Sequence, residues 1–205
     1  GDNVPRIKRF LNEVKNSITP MTIWKHKEVG HSQDAKQKLN SLFDGLALFD
    51  YPKPTGLIKR IIELYSDNNG IILDFFAGSS TTADSVLQYN TENGSNNKFI
   101  QVQLPEINNT KSDAYKNGYQ TISDIGKERI RRAAKKIAEE HPEKTKNLDL
   151  GFKVFKLDSS NIKGWSGNPE ELETSLWDAV SNIKNDRTEE DVLYEILLKY
   201  GLDLT

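Results

Sequence analysis

The chain has 205 residues, enough for one compact domain with a small appendage and a real core. Its 28 Lys and Arg face 30 Asp and Glu, and the net charge of −2 excludes the basic profile of a dedicated DNA-binding domain. There is no Cys, and His26, His31 and His141 are scattered, which excludes disulfides, thiolate catalysis and a clustered metal site.

No apolar run approaches a membrane span, and Gly1-Asp2-Asn3-Val4-Pro5 shows no signal-peptide pattern. A soluble protein with no membrane partner is expected. The absence of Cys fits a reducing cytoplasm. The start reads as a cut inside a longer protein.

Ile7, Phe10, Leu11 and Val14 have helical spacing, followed by a break at Ser17-Ile18-Thr19-Pro20. Residues 21–24 suit a short extended piece. A second helix is expected from Ser32 or Asp34 to Phe43, with Ala35, Leu39, Leu42 and Phe43 on one side. Pro52 and Pro54, one residue apart, force an extended chain, and Pro54 suits the first turn of a helix. Leu57, Ile58, Ile61, Ile62 and Leu64 supply that helix's buried face.

Residues 71–76 form an apolar run broken by one acid, expected as a central parallel strand buried on both faces. Residues 77–80 turn, residues 81–89 form a helix, and residues 99–104 form the next strand, stopped by Pro105. Helix, strand, helix, strand is the pattern of a doubly wound α/β sheet. A strong helix over 121–140 follows, with Ile122, Ile125, Ile130, Ala133 and Ile137 inward. Residues 151–157 read as an edge strand. Two helices close the chain. One starts at Asn168-Pro169-Glu170-Glu171 and buries Leu172, Leu176, Val180 and Ile183. The other has a Thr188/Asp191 capping box, buries Val192, Leu193, Ile196 and Leu197, and ends at Gly201.

Function concentrates at Asp74-Phe75-Phe76-Ala77-Gly78-Ser79-Ser80-Thr81-Thr82. A strand delivers a carboxylate to its C-terminal end. A glycine turn lets backbone approach a ligand, and a helix N-terminus follows. A diphosphate site favours more glycines and no acid at this point. No Lys follows the glycine, which disfavours a P-loop. A carboxylate there suits a ligand with an ammonium group, such as S-adenosylmethionine (AdoMet). An ordinary strand–turn–helix without a ligand remains the alternative. At the next strand end Gln103 takes the place of the usual ribose-binding acid, with Glu106 just beyond.

Phe49-Asp50-Tyr51-Pro52-Lys53-Pro54, Leu57-Ile58 and then Asp74 to Ala83 resemble the amino-methylating DNA methyltransferases in their beta-type motif order. Thr22-Ile23-Trp24, Val29-Gly30-His31, Phe99 to Pro105, Ile125 to Arg131, Phe152 to Asn161 and Gly201 to Leu204 resemble the modification (Mod) subunits of type III restriction systems.

The resemblance implies a partial doubly wound, Rossmann-like AdoMet-dependent methyltransferase sheet with a small C-terminal helical region. It implies three parts: residues 1–49 after a target-recognition region, residues 50–157 as the AdoMet-binding core, and residues 158–205 as a helical interaction region. It implies that Asp74, Phe75, Phe76, Ala77, Gly78 and Ser79 hold the methionine part of AdoMet. Gln103 would meet the ribose and Leu104 the adenine, while Tyr51, Lys53 and Pro54 line the other side. Thr81 and Thr82 would cap the next helix or touch the cofactor. The family usually has Gly where this chain has Ser80; if that residue needs positive φ, Ser costs about 1 kcal/mol.

The same family transfers the methyl group with an Asp/Asn/Ser-Pro-Pro-aromatic loop, and no two prolines are adjacent here. That loop is expected upstream of Gly1, so no catalytic residue and no metal ligand is assigned. The chain alone is expected to bind AdoMet weakly and not to methylate DNA. The implied activity of the intact enzyme is adenine N6 methylation, with DNA, a second Mod and the restriction (Res) subunit as partners.

Lys127, Arg129, Arg131, Arg132, Lys135 and Lys136 crowd one helix. They read as a solvated face more readily than as a DNA-backbone contact. Trp165 and Trp177 fit either a partner anchor or local core. Two further functions compete: a module chiefly docking Mod or Res subunits, and an enzyme acting on small molecules, which the Lys-Pro motif disfavours.

Overall fold

In a computed structural model the described residues are Phe10, residues 19–164, Asn168, Glu170, residues 172–180 and residues 182–204. The helix expected over residues 7–14, Phe10 apart, and Trp165 lie outside them. Two units divide the chain, Gly1–Gly151 and Phe152–Thr205.

In the first unit α1 (His26–Val29), α2 (Ser32–Leu42) and α3 (Thr55–Tyr65) precede β1 (Ile71–Asp74), α4 (Thr81–Asn93) and β2 (Lys98–Gln101). Then follow α5 (Asp113–Lys116), α6 (Ile122–Glu140) and α7 (Pro142–Thr145). The unit is thus α/β, with a two-stranded parallel sheet and several helices. Ile71 pairs with Lys98 and Asp74 with Gln101. Val102 N–H to the Asp74 carbonyl (2.8 Å) and Ala77 N–H to the Val102 carbonyl (3.1 Å) carry the pairing past the strand ends.

The expectation of burial on both faces fails for β1. Its residues alternate exposed and half-buried, and Ile71 and Leu73 are 66% and 59% exposed. Ile100 and Val102 of the second strand are exposed as well. The helices cover one face of the strands, and the apolar side chains of the other face lie in solvent.

α4 is the central helix. Thr81 through Leu87, Asn90 and Thr91 are buried. Its polar side chains find partners: Ser85 donates to the Thr81 carbonyl and Thr91 to the Leu87 carbonyl. Asn90 Nδ2 donates to the Asn97 carbonyl, while Asn90 Oδ1 accepts from Ser95 and from Asn97 N–H. Asn97 Oδ1 in turn accepts from Ser66 and Gly70 N–H, so the turns before both strands are tied together.

α6 begins with a capping box in which Thr121 and Asp124 exchange hydrogen bonds. Burial alone would raise the Asp124 carboxyl, but bonds from Lys127 and Thr121 outweigh it and hold the group below its usual range. Of the expected inward residues, Ile125, Ile130, Ala133 and Ile137 are buried and Ile122 is half-buried. A hydrophobic cluster joins Leu39, Phe43, Leu48, Ala114 and Ile125, with Phe49 packed against it. α2 is capped by the His31 imidazole, not by Ser32 or Asp34. Pro54 is the residue before α3, not in its first turn. On α3 only Ile62 of the expected face is fully buried, and Ile61 is exposed.

The second unit contains α8 (Leu172–Val180) and α9 (Glu189–Lys199). The Thr188/Asp191 capping box is present, and Gly201 takes the left-handed conformation beyond the helix end. The strand expected over residues 151–157 does not form: Val154, Phe155 and Leu157 are exposed and pair with no neighbouring strand among the described residues. Leu176, Val180, Leu193 and Ile196 are exposed, contrary to the buried faces expected for both helices. Glu195 holds this unit locally, accepting from Ser160, from Asn161 N–H and from Lys199. Among the described residues no helix is long and apolar enough to cross a membrane.

Candidate functional site

The turn between β1 and α4 is built almost entirely from backbone bonds fixed by side chains. Asp74 stands at the end of β1. Its Oδ1 accepts from Phe76 N–H at 3.1 Å and its Oδ2 from the Thr82 hydroxyl at 2.6 Å. A carboxylate has about four lone-pair positions, so two protein donors leave room for a cationic partner. Gly78 is left-handed, at φ 53. Its N–H donates to Gln103 Oε1 at 2.7 Å, which ties the turn to the end of the second strand. A Cβ on Gly78 would lie 3.6 Å from the Phe49 ring. Phe49 therefore flanks the turn; it belongs to the sequence motif but was not among the expected site residues.

Ser80 is left-handed too, at φ 59 and ψ 40. Ser thus stands at a position that does need positive φ, at a cost of about 1 kcal/mol relative to Gly. Ser80 N–H donates to the Ala77 carbonyl at 2.8 Å and closes the turn.

Arg129 of α6 reaches this turn, which overturns its expected place on a solvated face. It is 4% exposed and pairs with Asp84, which is 5% exposed. Its Nη1 also donates to the Ser79 carbonyl, the Ser79 hydroxyl and the Thr81 hydroxyl, at 3.3, 3.1 and 2.8 Å. The helical period carried the signal: Arg129 lies midway between the buried Ile125 and Ala133, one turn from each. The other cations do form a surface lattice, with Lys127 on Asp124, Arg131 and Arg132 on Glu128, Lys135 on Glu139 and Lys136 on Glu140. Gly126, just before them, presses on the turn. A Cβ there would lie 2.5 Å from Ser80 Oγ and 3.3 Å from the Gly78 carbonyl oxygen.

The structure joins Asp74 to Thr82 and Gly78 to Gln103 by direct bonds, and Ser79 to Arg129. Phe75, Phe76, Leu104 and Tyr51 are exposed. Gln103 already has a protein partner in Gly78, which sequence reasoning did not anticipate. The amide of Gln101, in register with Asp74, is buried with neither its nitrogen nor its oxygen bonded. Pro54 is buried, and with Lys53 it lines a cavity of about 740 Å³ between α1–α4 and α6. The lining of that cavity does not include Asp74, Gly78 or Gln103. All three histidines line it. Among the described residues no group of three His, Cys, Asp or Glu is placed to hold a metal ion.

A family model described as DNA methylase matches residues 4–135, more than half of the chain. The chain belongs to the DNA methylase family. Within it, this methylase chain is 43% identical over 129 residues to the Mod subunit of the type III restriction-modification enzyme StyLTI of Salmonella typhimurium, covering 63% of the chain and 19% of that protein. It is 36% identical over 156 residues to the EcoPI Mod subunit of Escherichia phage P1, covering 76% of the chain and 23% of that protein. It is 32% identical over 124 residues to the type II methyltransferase M.KpnI of Klebsiella pneumoniae, covering 60% of the chain and 29% of that protein. The methylase chain spans about a fifth of the length of the Mod relatives it matches.

Proposed function

We propose that this chain supplies the AdoMet-binding part of a type III Mod subunit, a site-specific DNA methyltransferase acting on adenine N6 in the intact enzyme. The observation that carries the reading is the Asp74 carboxylate, held by Phe76 N–H and Thr82 at the mouth of the Gly78 turn. The residues fit the cofactor. Asp74 keeps lone pairs for an ammonium, Gly78 offers backbone with no Cβ, and the unbonded Gln101 amide adds polar capacity beside Asp74. Exposed Phe75, Phe76 and Leu104 offer apolar and aromatic surface to a purine and to a sulfonium cation. When bound, AdoMet supplies an activated methyl group. The chain's own residues would bind and orient it: Asp74 would take the ammonium, and Gln103 would offer its Nε2 to the ribose while its Oε1 holds Gly78. Tyr51, Lys53 and Pro54 belong to the motif before α3; Lys53 and Pro54 line the separate cavity, and none of the three is assigned a contact in this site.

The uncovered apolar face of β1 and β2 supports a finer reading, in which they are two strands of a larger doubly wound sheet. Residues 50–157 form the cofactor core in this reading, and DNA, a second Mod and a Res subunit are the partners. Isothermal calorimetry with AdoMet on the full-length protein tests it. Saturable binding that Asp74→Ala abolishes supports the site; equal binding by the variant refutes it.

A second reading, subunit docking by residues 158–205, is favoured by exposed Leu176, Trp177, Val180, Leu193 and Leu198. Capture of the Res subunit that persists after deletion of residues 168–205 would refute it.

A further inference from the structure

Arg129 comes to the cofactor turn from far along the chain, 50 residues beyond Ser79 and 48 beyond Thr81. We infer that Arg129 is a positioning residue for this turn: its buried guanidinium fixes the Ser79–Ser80 peptide and the Thr81 hydroxyl, and so sets where the turn presents its backbone to the cofactor. The inference rests on the reading of the site proposed above.

A buried pair made only to neutralise charge would need Asp84 and no more. Here Nε and Nη2 serve Asp84, at 3.0 and 2.9 Å, and Nη1 is given over to the turn. A planar guanidinium can divide its donors this way, whereas a lysine ammonium is a single point. The Ser79–Ser80 peptide is held at both ends. Its carbonyl accepts from Arg129, and its N–H donates to the Ala77 carbonyl. A planar group pinned on both sides has a fixed orientation. The pin matters because Ser80 occupies the left-handed region, which a non-glycine residue leaves when unrestrained. Asp84 lies one turn into α4, so the same guanidinium joins the helix start to the turn that feeds it.

The test uses the full-length protein, AdoMet calorimetry, thermal melting and steady-state kinetics on DNA. Replacing both members, Arg129→Met with Asp84→Leu, leaves no uncompensated buried charge; melting should fall only by the cost of the unpartnered Ser79 and Thr81 groups. AdoMet binding should weaken by roughly tenfold, the scale of one lost hydrogen bond to a charged group. The KM for AdoMet should rise with it while the KM for DNA stays unchanged. Arg129→Lys should give an intermediate affinity. If the double variant melts too low to assay, Thr81→Val carries the test. It leaves the Arg129–Asp84 pair intact, removes one acceptor, and should weaken AdoMet binding several-fold. Affinity within twofold of wild type in the assayed variant overturns the positioning role. A wild-type protein that binds no AdoMet overturns the reading of the site as well, and so separates the two failures.

Discussion

The Thr82 hydroxyl donates to Asp74 Oδ2 at 2.6 Å and joins the first turn of α4 to the end of β1. The bond crosses the β1–α4 turn and fixes the carboxylate's rotamer. Thr82→Val keeps the shape and removes the donor. Calorimetry should show AdoMet affinity reduced by about fivefold, the equivalent of one ordinary hydrogen bond. Thr82→Ser should bind as wild type does. Equal affinity in the Val variant would mean that Asp74 needs no help from Thr82.

Ser80 and Gly126 are coupled. Ser80 is strained by its left-handed backbone, and its Oγ occupies the space a side chain at 126 would need. Ser80→Gly should stabilise the protein by about 1 kcal/mol in urea unfolding. Gly126→Ala should destabilise it by about 1–3 kcal/mol through overpacking. In the double variant part of that loss should return, because the Ser80 contact is gone while the Gly78 carbonyl contact stays. Strict additivity of the two single effects would show that α6 does not press on the turn in solution.

Asn90 holds the connection between α4 and β2. Both atoms of its buried amide are used, toward Asn97 and Ser95. Asn90→Ala leaves buried polar groups without partners and should cost about 1–3 kcal/mol. Asn93→Ala, at an exposed position of the same helix, should change stability by less than about 0.5 kcal/mol. Denaturant titration of both variants checks the contrast, which disappears if the network is not formed.

The elements that sequence reasoning placed well are those fixed by neighbours in sequence. The Asp74-to-Thr82 turn, the Thr188/Asp191 box and the inward stripe of α6 follow from local chemistry and helical period. Arg129 was missed because its partner Asp84 is 45 residues away, and a charged side chain amid five other cations looks solvated. The apolar residues within 151–157 suggested a strand, but a strand needs a neighbour, and that is not a property of the segment itself. Ile71 and Leu73 are apolar enough for a central strand, and their exposure depends on what covers the sheet. Periodicity reports which residues would be buried together; it does not report which surface buries them.

Among the described residues of the second unit, Glu195 is one of three lowered carboxyls, with Asp158 and Asp191. The Lys199 ammonium first, then Ser160 and Asn161 N–H, hold its carboxyl at about 2 instead of the ordinary 4.5. The folded unit therefore binds this proton less tightly than the unfolded chain. Ionised Glu195 contributes its full stabilisation above about 4.5, and the contribution is lost as the pH falls through about 2. Carboxyl NMR should place the Glu195 midpoint near the lower value. Exchange of the Asn161 amide proton should quicken over the same acid range as its acceptor is protonated. Glu195→Gln should remove that pH response. A midpoint near 4.5 would show that the Lys199, Ser160 and Asn161 contacts do not persist in solution.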